Sequence, residues 1–365
     1  MFAMLLFSAL AAGYVILRAV VPSQLPLVIR IFLYLLILVS AFKFHVIRFF
    51  GGPNYFAPKI PGSIVVLLST LHFAIIITAF FFLLSEFVLV PLWIMGKNAH
   101  ANTVHAVLAG IALAISFIGL YNATKAPKIT NYTVSVKDLP KEAEGLRLAV
   151  VADLHADDWT KTPRIEKIIE RVNAEKPDVV LLTGDFADGS VEEVGPYLEP
   201  LKKLFSRYGN FAVSGNHEFY NGWEKWQKFL ESLGLIVLEN TAVDLPLGVS
   251  ICGISDQAFA NSSVAKASDA AKFPIKVLVA HRPSAHVEAR QEKFSLQVSG
   301  HTHGGMTPLL NKIVAKFNGG AVSGIYNFPE DDFTLIVSNG ANLWSGFPIR
   351  LGAPAEIPII TLTAK

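Results

Sequence analysis

Cysteine is nearly missing from these 365 residues. Cys252, in "VSICGIS", is the single example, so no intramolecular disulfide can form among them. Its apolar neighbours mark it as a buried strand thiol with no catalytic role, compatible with a reducing compartment. Charge is also scarce, at 16% against 52% hydrophobic residues. The scarcity is concentrated at one end. Up to Ala123 there are six Lys/Arg and one acid, Glu86, which leaves 25 basic and 28 acidic residues for the remainder. The larger part is thus mildly acidic and offers no basic face, which argues against a nucleic-acid partner. Internal repeats and low-complexity segments are absent as well.

What the first third does have is apolar runs. Four spans are expected, near Met1–Val21, Leu25–Phe42, Ser63–Leu84 and Thr103–Tyr121, each close to the ~20 residues that cross a hydrocarbon core. Arg18 lies at the far end of the first run and a second run follows at once, so a membrane hairpin fits better than a cleaved signal. Glu86 and Pro91 are expected to mark the exit of the third span. Arg30, His72 and Glu86 either snorkel to the interface or serve a function. Four spans put both ends on one face, with Lys43, Arg48, Lys59, Lys125 and Lys128 there and Arg18 and Lys97 opposite. The positive-inside rule then places the larger part in the cytoplasm. The chain is expected to divide into a four-helix transmembrane domain, 1–124, and a second domain, 125–365, held close to the bilayer by a short connector. The loop "FFGGPNYFAPKIPG", Phe49–Gly62, is expected on the same face.

From Lys125 the pattern alternates. "KITNYTVSV", "LRLAVVADLH", "DVVLLTGDFADG" and "NFAVSGNHEFY" read as strands, three of them ending in polar residues. "PRIEKIIERVNAEKP" and "GWEKWQKFLESLG" have helical periodicity. Further strands are expected at "VSICGIS", "IKVLVAH", "SLQVSG", "FTLIVSN" and "IPIITLT". Strands alternating with helices predict an α/β fold, whose ligands bind at the carboxyl ends of the strands. Asp153 and His155, Asp185, Asn216 and His217, His281, and His301 with His303 all follow apolar strands. All are metal-ligand types. Five of the six histidines after Lys125 belong to this set, and only His286 falls outside it.

In order, "DLH", "GDFAD", "GNHE", "AH" and "GHTHGG" resemble the five blocks of the calcineurin-like metallophosphoesterases. The resemblance covers nearly all of Lys125–Lys365, including "GFPIRLGAPAEIPIITL" as a closing strand. It implies an α/β/β/α sandwich and two divalent metal ions, Mn, Fe or Zn. Asp153, His155 and His303 would hold the first ion, Asn216, His281 and His301 the second, and Asp185 would bridge them. His217 would point at the phosphoryl group, while Asp188 and Glu218 orient it or the ligands. Met306 departs from the glutamine that many relatives carry after "HTHGG". Such a centre clamps phosphoryl oxygens and acidifies a water, and mixed N/O donors disfavour Ca²⁺.

The reading is a membrane-bound phosphoester hydrolase acting on a phosphodiester, pyrophosphate or phosphomonoester of a lipid or lipid-linked substrate. Basic residues on the connector face would attract anionic headgroups. Two other readings fit the residues: an exported cell-envelope phosphoesterase with a soluble or cell-wall substrate, and an inert membrane receptor that retains the fold. A transporter is disfavoured by the few polar groups in the spans.

Overall fold

The computed structural model describes residues 2–51, 58–97, 100–259 and 261–365. These form two compact units, one made of residues 1–122 with 345–349, the other of 123–344 with 350–365. Residues 52–57, within the loop Phe49–Gly62, lie outside the described residues.

The first unit is helical. α1 (Phe2–Val15) runs into a π-helical turn, Ile16–Val20, followed by α2 (Leu27–Ala41), α3 (Lys43–Gly51), α4 (Gly62–Ile94) and α5 (Ala101–Thr124). Among the described residues, two helices are long and apolar enough to cross a membrane: α4 with 33 residues and α5 with 24. At ~1.5 Å per residue they reach ~50 and ~36 Å, against a hydrocarbon core of ~30 Å. The expected four spans are therefore only partly present. The first run makes a shorter helix, and the second covers α2 alone, because the chain bends by 79° between α2 and α3. The third continues past Leu84, with Pro91 inside α4.

Tertiary partners explain why Glu86 does not end that helix. Arg18 of the π-helical turn donates to Glu86 Oε1 from Nε at 2.9 Å and from Nη2 at 2.5 Å, and Tyr14 Oη donates at 3.2 Å. A paired carboxylate is far less costly in an apolar setting than a lone one. His72 is buried with its Nδ1 3.1 Å from the Ser40 carbonyl. Lys43 is buried too, its Nζ donating to Ser69 Oγ at 3.1 Å and to the Gly346 carbonyl at 2.7 Å.

The second unit is built on strands β1 (Lys128–Val136), β2 (Arg147–Val151), β3 (Val179–Leu182), β4 (Asn210–Ala212), β5 (Ile236–Val237), β6 (Thr241–Leu245), β7 (Val249–Gly253), β8 (Ile275–Val279), β9 (Leu296–Ser299), β10 (Gly324–Phe328), β11 (Phe333–Val337) and β12 (Glu356–Ala364). One sheet has the order β1-β12-β2-β3-β4-β5 and the other β10-β11-β9-β8-β7-β6. Both are mixed: β12 pairs antiparallel with β2, and β6 and β10 pair antiparallel at the edges of the second sheet.

Two-residue alternation explains the stacking. On β2 and β3, Leu148, Val150, Val179 and Leu181 pack against Ile251, Val277, Val279 and Val298 of the other sheet. Their neighbours Ala149, Val151, Val180 and Leu182 face Ile165, Ile168, Ile169 and Val172 of α6 (Lys161–Ala174). Trp226 and Leu230 join that layer from α9 (Trp223–Ser232), which follows α7 (Val191–Val194) and α8 (Asn216–Tyr220). Behind the second sheet, Cys252 and Leu278 meet Val264 and Ala267 of α10 (Val264–Asp269) and Ala289 of α11 (His286–Gln291). Helix, sheet, sheet and helix thus form four layers. The last helix, α12 (Asn311–Phe317), lies between β9 and β10 in sequence and buries no residue.

Candidate metal centre

Strands β2, β3 and β4 of the first sheet and β8 and β9 of the second each release their chain into one cluster of polar side chains. Asp153 and His155 follow β2, Asp185 and Asp188 follow β3, and Asn216, His217 and Glu218 open α8 after β4. His281 follows β8, and His301 and His303 follow β9. The structure brings together all ten residues expected from the sequence. His286, which was left out, caps its own turn at the Pro283 carbonyl and stacks on Phe328.

The backbone reaches this arrangement through conformations that side chains rarely adopt. Asp153, His155, Asp185, His301 and His303 have φ of 54°, 40°, 53°, 69° and 48°. Left-handed backbone at non-glycine residues costs on the order of 1–3 kcal/mol each and persists where the surroundings impose it. Glycines allow the close approach. A Cβ on Gly215 would lie 2.2 Å from Asp185 Oδ1, and one on Gly184 would lie 2.4 Å from Gly215 N.

Hydrogen bonds aim the imidazoles inward. His281 Nδ1 donates to the Thr183 carbonyl at 2.8 Å, which turns Nε2 inward. That atom lies 3.3 Å from Asp185 Oδ2, 3.2 Å from Asn216 Oδ1 and 3.0 Å from His301 Nδ1. Side-chain nitrogen and oxygen atoms thus converge on one point. The motif recurs nearby: His155 Nε2 lies 3.1 Å from His303 Nε2 and 3.7 Å from Asp185 Oδ2. Asp153, His155 and His303 form one group whose ligand atoms lie within 4.8 Å of one another, and Asp185, His281 and His301 form another. Buried nitrogen and carboxylate atoms gathered this closely could hold a cation between them, and the mixed N/O donor set fits divalent transition metals.

Electrostatics carries the same signature. Burial works against charge on His155, yet Asp188 and Asp185 raise it to about 9. Asp185 likewise outweighs burial at His281 and lifts it to about 10. Burial then pushes His303 well below its ordinary range, aided by His155, and burial with His281 does the same to His301.

Asp188 and Glu218 sit behind the donors. Asp188 Oδ1 is shared by Nδ1 of His155, at 3.2 Å, and Nδ1 of His217. This leaves His217 Nε2 facing inward, 3.8 Å from Asp185 Oδ2. Glu218 accepts from the backbone N–H of Asp185 at 3.0 Å, Phe186 at 2.7 Å and Gly215 at 2.8 Å, tying the β3 and β4 loops together. Burial first, and Asp185 second, raise its carboxyl to about 7.

Sequence reasoning missed four residues at this site. Arg282 donates to Asp256 Oδ2 at 2.7 Å and to Asn216 Oδ1 at 3.2 Å, and its Nη1 lies 2.9 Å from His301 Nε2. Arg350, fully enclosed, donates to the Asn342 carbonyl at 2.7 Å and stands 3.4 Å from His303 Nδ1. Trp344 lays its ring along His155 and His303 and meets His217 edge-on, with centroids 6.0, 6.4 and 5.6 Å apart. Tyr220 flanks His217 at 5.6 Å. Arg282 directly follows His281, so its position beside a ligand candidate was a usable signal.

These features define a metal-dependent phosphoester hydrolase, and the chain belongs to the calcineurin-like metallophosphoesterases. The family model for calcineurin-like phosphoesterases matches residues 146–305. The chain is 34% identical to an uncharacterized metallophosphoesterase of Helicobacter pylori over 68% of its own length and 67% of the relative's. It is 30% identical to a metallophosphoesterase of Aquifex aeolicus, covering 65% of this chain and 92% of that one. A Danio rerio protein named "Transmembrane protein with metallophosphoesterase domain" is 30% identical over 73% of this chain and 64% of its own. Members of the family use divalent metals, and the apolar helices here, with that relative, point to membrane association.

Proposed function

We propose that the chain is a multi-pass membrane hydrolase whose second domain, 125–365, uses two divalent ions to cleave a phosphoester of a lipid or lipid-linked substrate on the cytoplasmic side. The observation that carries the reading is the convergence of buried imidazole nitrogen and carboxylate atoms at five strand ends. Asp153, His155 and His303 hold one ion, Asn216, His281 and His301 the other, and Asp185 lies between. Manganese, iron and zinc suit this donor set. Metals held there supply charge neutralisation at the phosphoryl oxygens and a water acidic enough to act near neutral pH.

The chain's own groups do the rest. His217, oriented through Nδ1 by Asp188, presents Nε2 to give a proton to the leaving oxygen as the P–O bond breaks. Glu218 holds the two loops that carry Asp185 and His217. Trp344 covers the imidazoles on one side and limits access of bulk water.

Asp185→Ala tests the metal assignment: elemental analysis should show clear loss of bound metal together with loss of turnover. Retention of two full equivalents of metal would overturn it. The lipid reading is tested separately in detergent micelles, by comparing kcat/KM for a long-chain lipid phosphoester with that for its deacylated headgroup. The lipid should be preferred; equal or faster turnover of the soluble headgroup would reduce the helices to an anchor.

A further inference from the structure

α12 is an anomaly among the helices of the second unit. α6 buries four aliphatic residues and α9 buries two tryptophans and a leucine, whereas α12 buries nothing although its sequence, "NKIVAKF", is half apolar. Leu310 and Val314 are half-buried and attach it. Ile313 and Phe317 stand four apart, the spacing that places side chains along one helical face, and Leu309 lies in the turn just before the helix. They are 56%, 56% and 73% exposed. Burial in water is what such residues normally achieve, so a contiguous exposed row marks a surface that something else covers.

The chemistry of the surroundings says what. Lys312 and Lys316 are exposed beside the row, and no acidic residue occurs between Glu292 and Glu330. An apolar row flanked by lysines, without acids, matches the boundary between anionic headgroups and acyl chains. A bilayer is also at hand by chain connectivity, since β1 begins at Lys128, four residues after α5 ends at Thr124. The segment adjoins the metal centre as well. A Cβ on Gly305, two residues after His303, would lie 2.1 Å from Asn311 Oδ1 at the start of α12.

We propose that the 309–317 face seats on an anionic lipid surface, with Leu309, Ile313 and Phe317 entering the acyl boundary and Lys312 and Lys316 meeting lipid phosphates. This rests on membrane association of the chain but not on the substrate being a lipid. Docking beside the His301–Gly305 turn would bring the metal centre to headgroup level.

The test uses the full chain in proteoliposomes. Cys252 is fully buried, so Ile313→Cys and Phe317→Cys accept an environment-sensitive fluorophore selectively. Lys225→Cys on the exposed face of α9 gives the water reference. In vesicles of phosphatidylcholine with added phosphatidylglycerol, labels at 313 and 317 should emit to the blue of the reference and be quenched by nitroxide-bearing lipid. Lys312→Glu with Lys316→Glu should weaken that quenching while turnover of a soluble chromogenic diester is kept. Water-like, unquenched labels in an active protein would overturn the proposal. Equal quenching in pure phosphatidylcholine would overturn the anionic class. Shielding seen in native membranes but lost in proteoliposomes would assign the face to a protein partner instead. Each readout reports on α12 and is independent of which substrate the site prefers.

Discussion

Asp188 serves two rings with one oxygen, and this separates binding from proton transfer at the level of single residues. His155 turns its other nitrogen to the cluster shared with His303, and His217 turns its own toward Asp185. His217→Ala should therefore retain both metals and lose ~10²–10⁴ in kcat, the usual worth of a positioned general acid. Metal analysis and steady-state kinetics on the same preparation check this, and loss of one metal equivalent would make His217 a ligand. Eight of the ten cluster residues were legible because each sits within a few positions of an apolar strand, so a local pattern locates it, while Asp188 and Glu218 came from the family resemblance alone. Arg350 and Trp344 were not. They reach the site across the fold: Arg350 meets His303 from 47 residues away, with no local periodicity to announce it.

At the scale of elements, the turns that join strand to site are tightly specified. Gly215 shows this: its φ of −102° is open to any residue, yet the space beside it is filled by Asp185 Oδ1 and Asp185 N, at 2.2 and 2.4 Å from a would-be Cβ. Gly215→Ala should cost about 1–3 kcal/mol through overpacking and displace the Asp185 loop. Lower metal affinity with a lower Tm, measured together, is the expected result. Strands such as Lys128–Val136 could be read directly from composition and alternation. Short or edge elements could not. β5 has two residues, β6 is half-exposed with weak alternation, and β10 alternates only between half-buried and exposed, with no buried face. The bend between α2 and α3 falls at Phe42, with no proline or glycine to flag it, and α4 outlasts its acid because Arg18 arrives from a distant turn. Hydropathy reports the length of an apolar run but not where tertiary partners bend or extend it.

For the whole molecule, the sidedness of the catalytic domain is open to direct measurement. Cysteines introduced at Lys128 or Ser190 should resist an impermeant thiol reagent added to intact cells if the domain faces the cytoplasm; rapid labelling would place it outside and favour a cell-envelope substrate. The sheet order carries a further implication. β12 lies between β1 and β2, parallel to the first and antiparallel to the second. During synthesis β1 leaves the ribosome early and has no neighbour to pair with until residues near Ala364 have been made. For most of that interval the nascent chain carries an open strand edge and an incomplete metal cluster, since His301 and His303 also emerge late. Such edges invite aggregation. Synthesis of Glu356–Ala364, then, is the event that closes this sheet, and a ribosome that stalls before Glu356 leaves β1 without its partner strand.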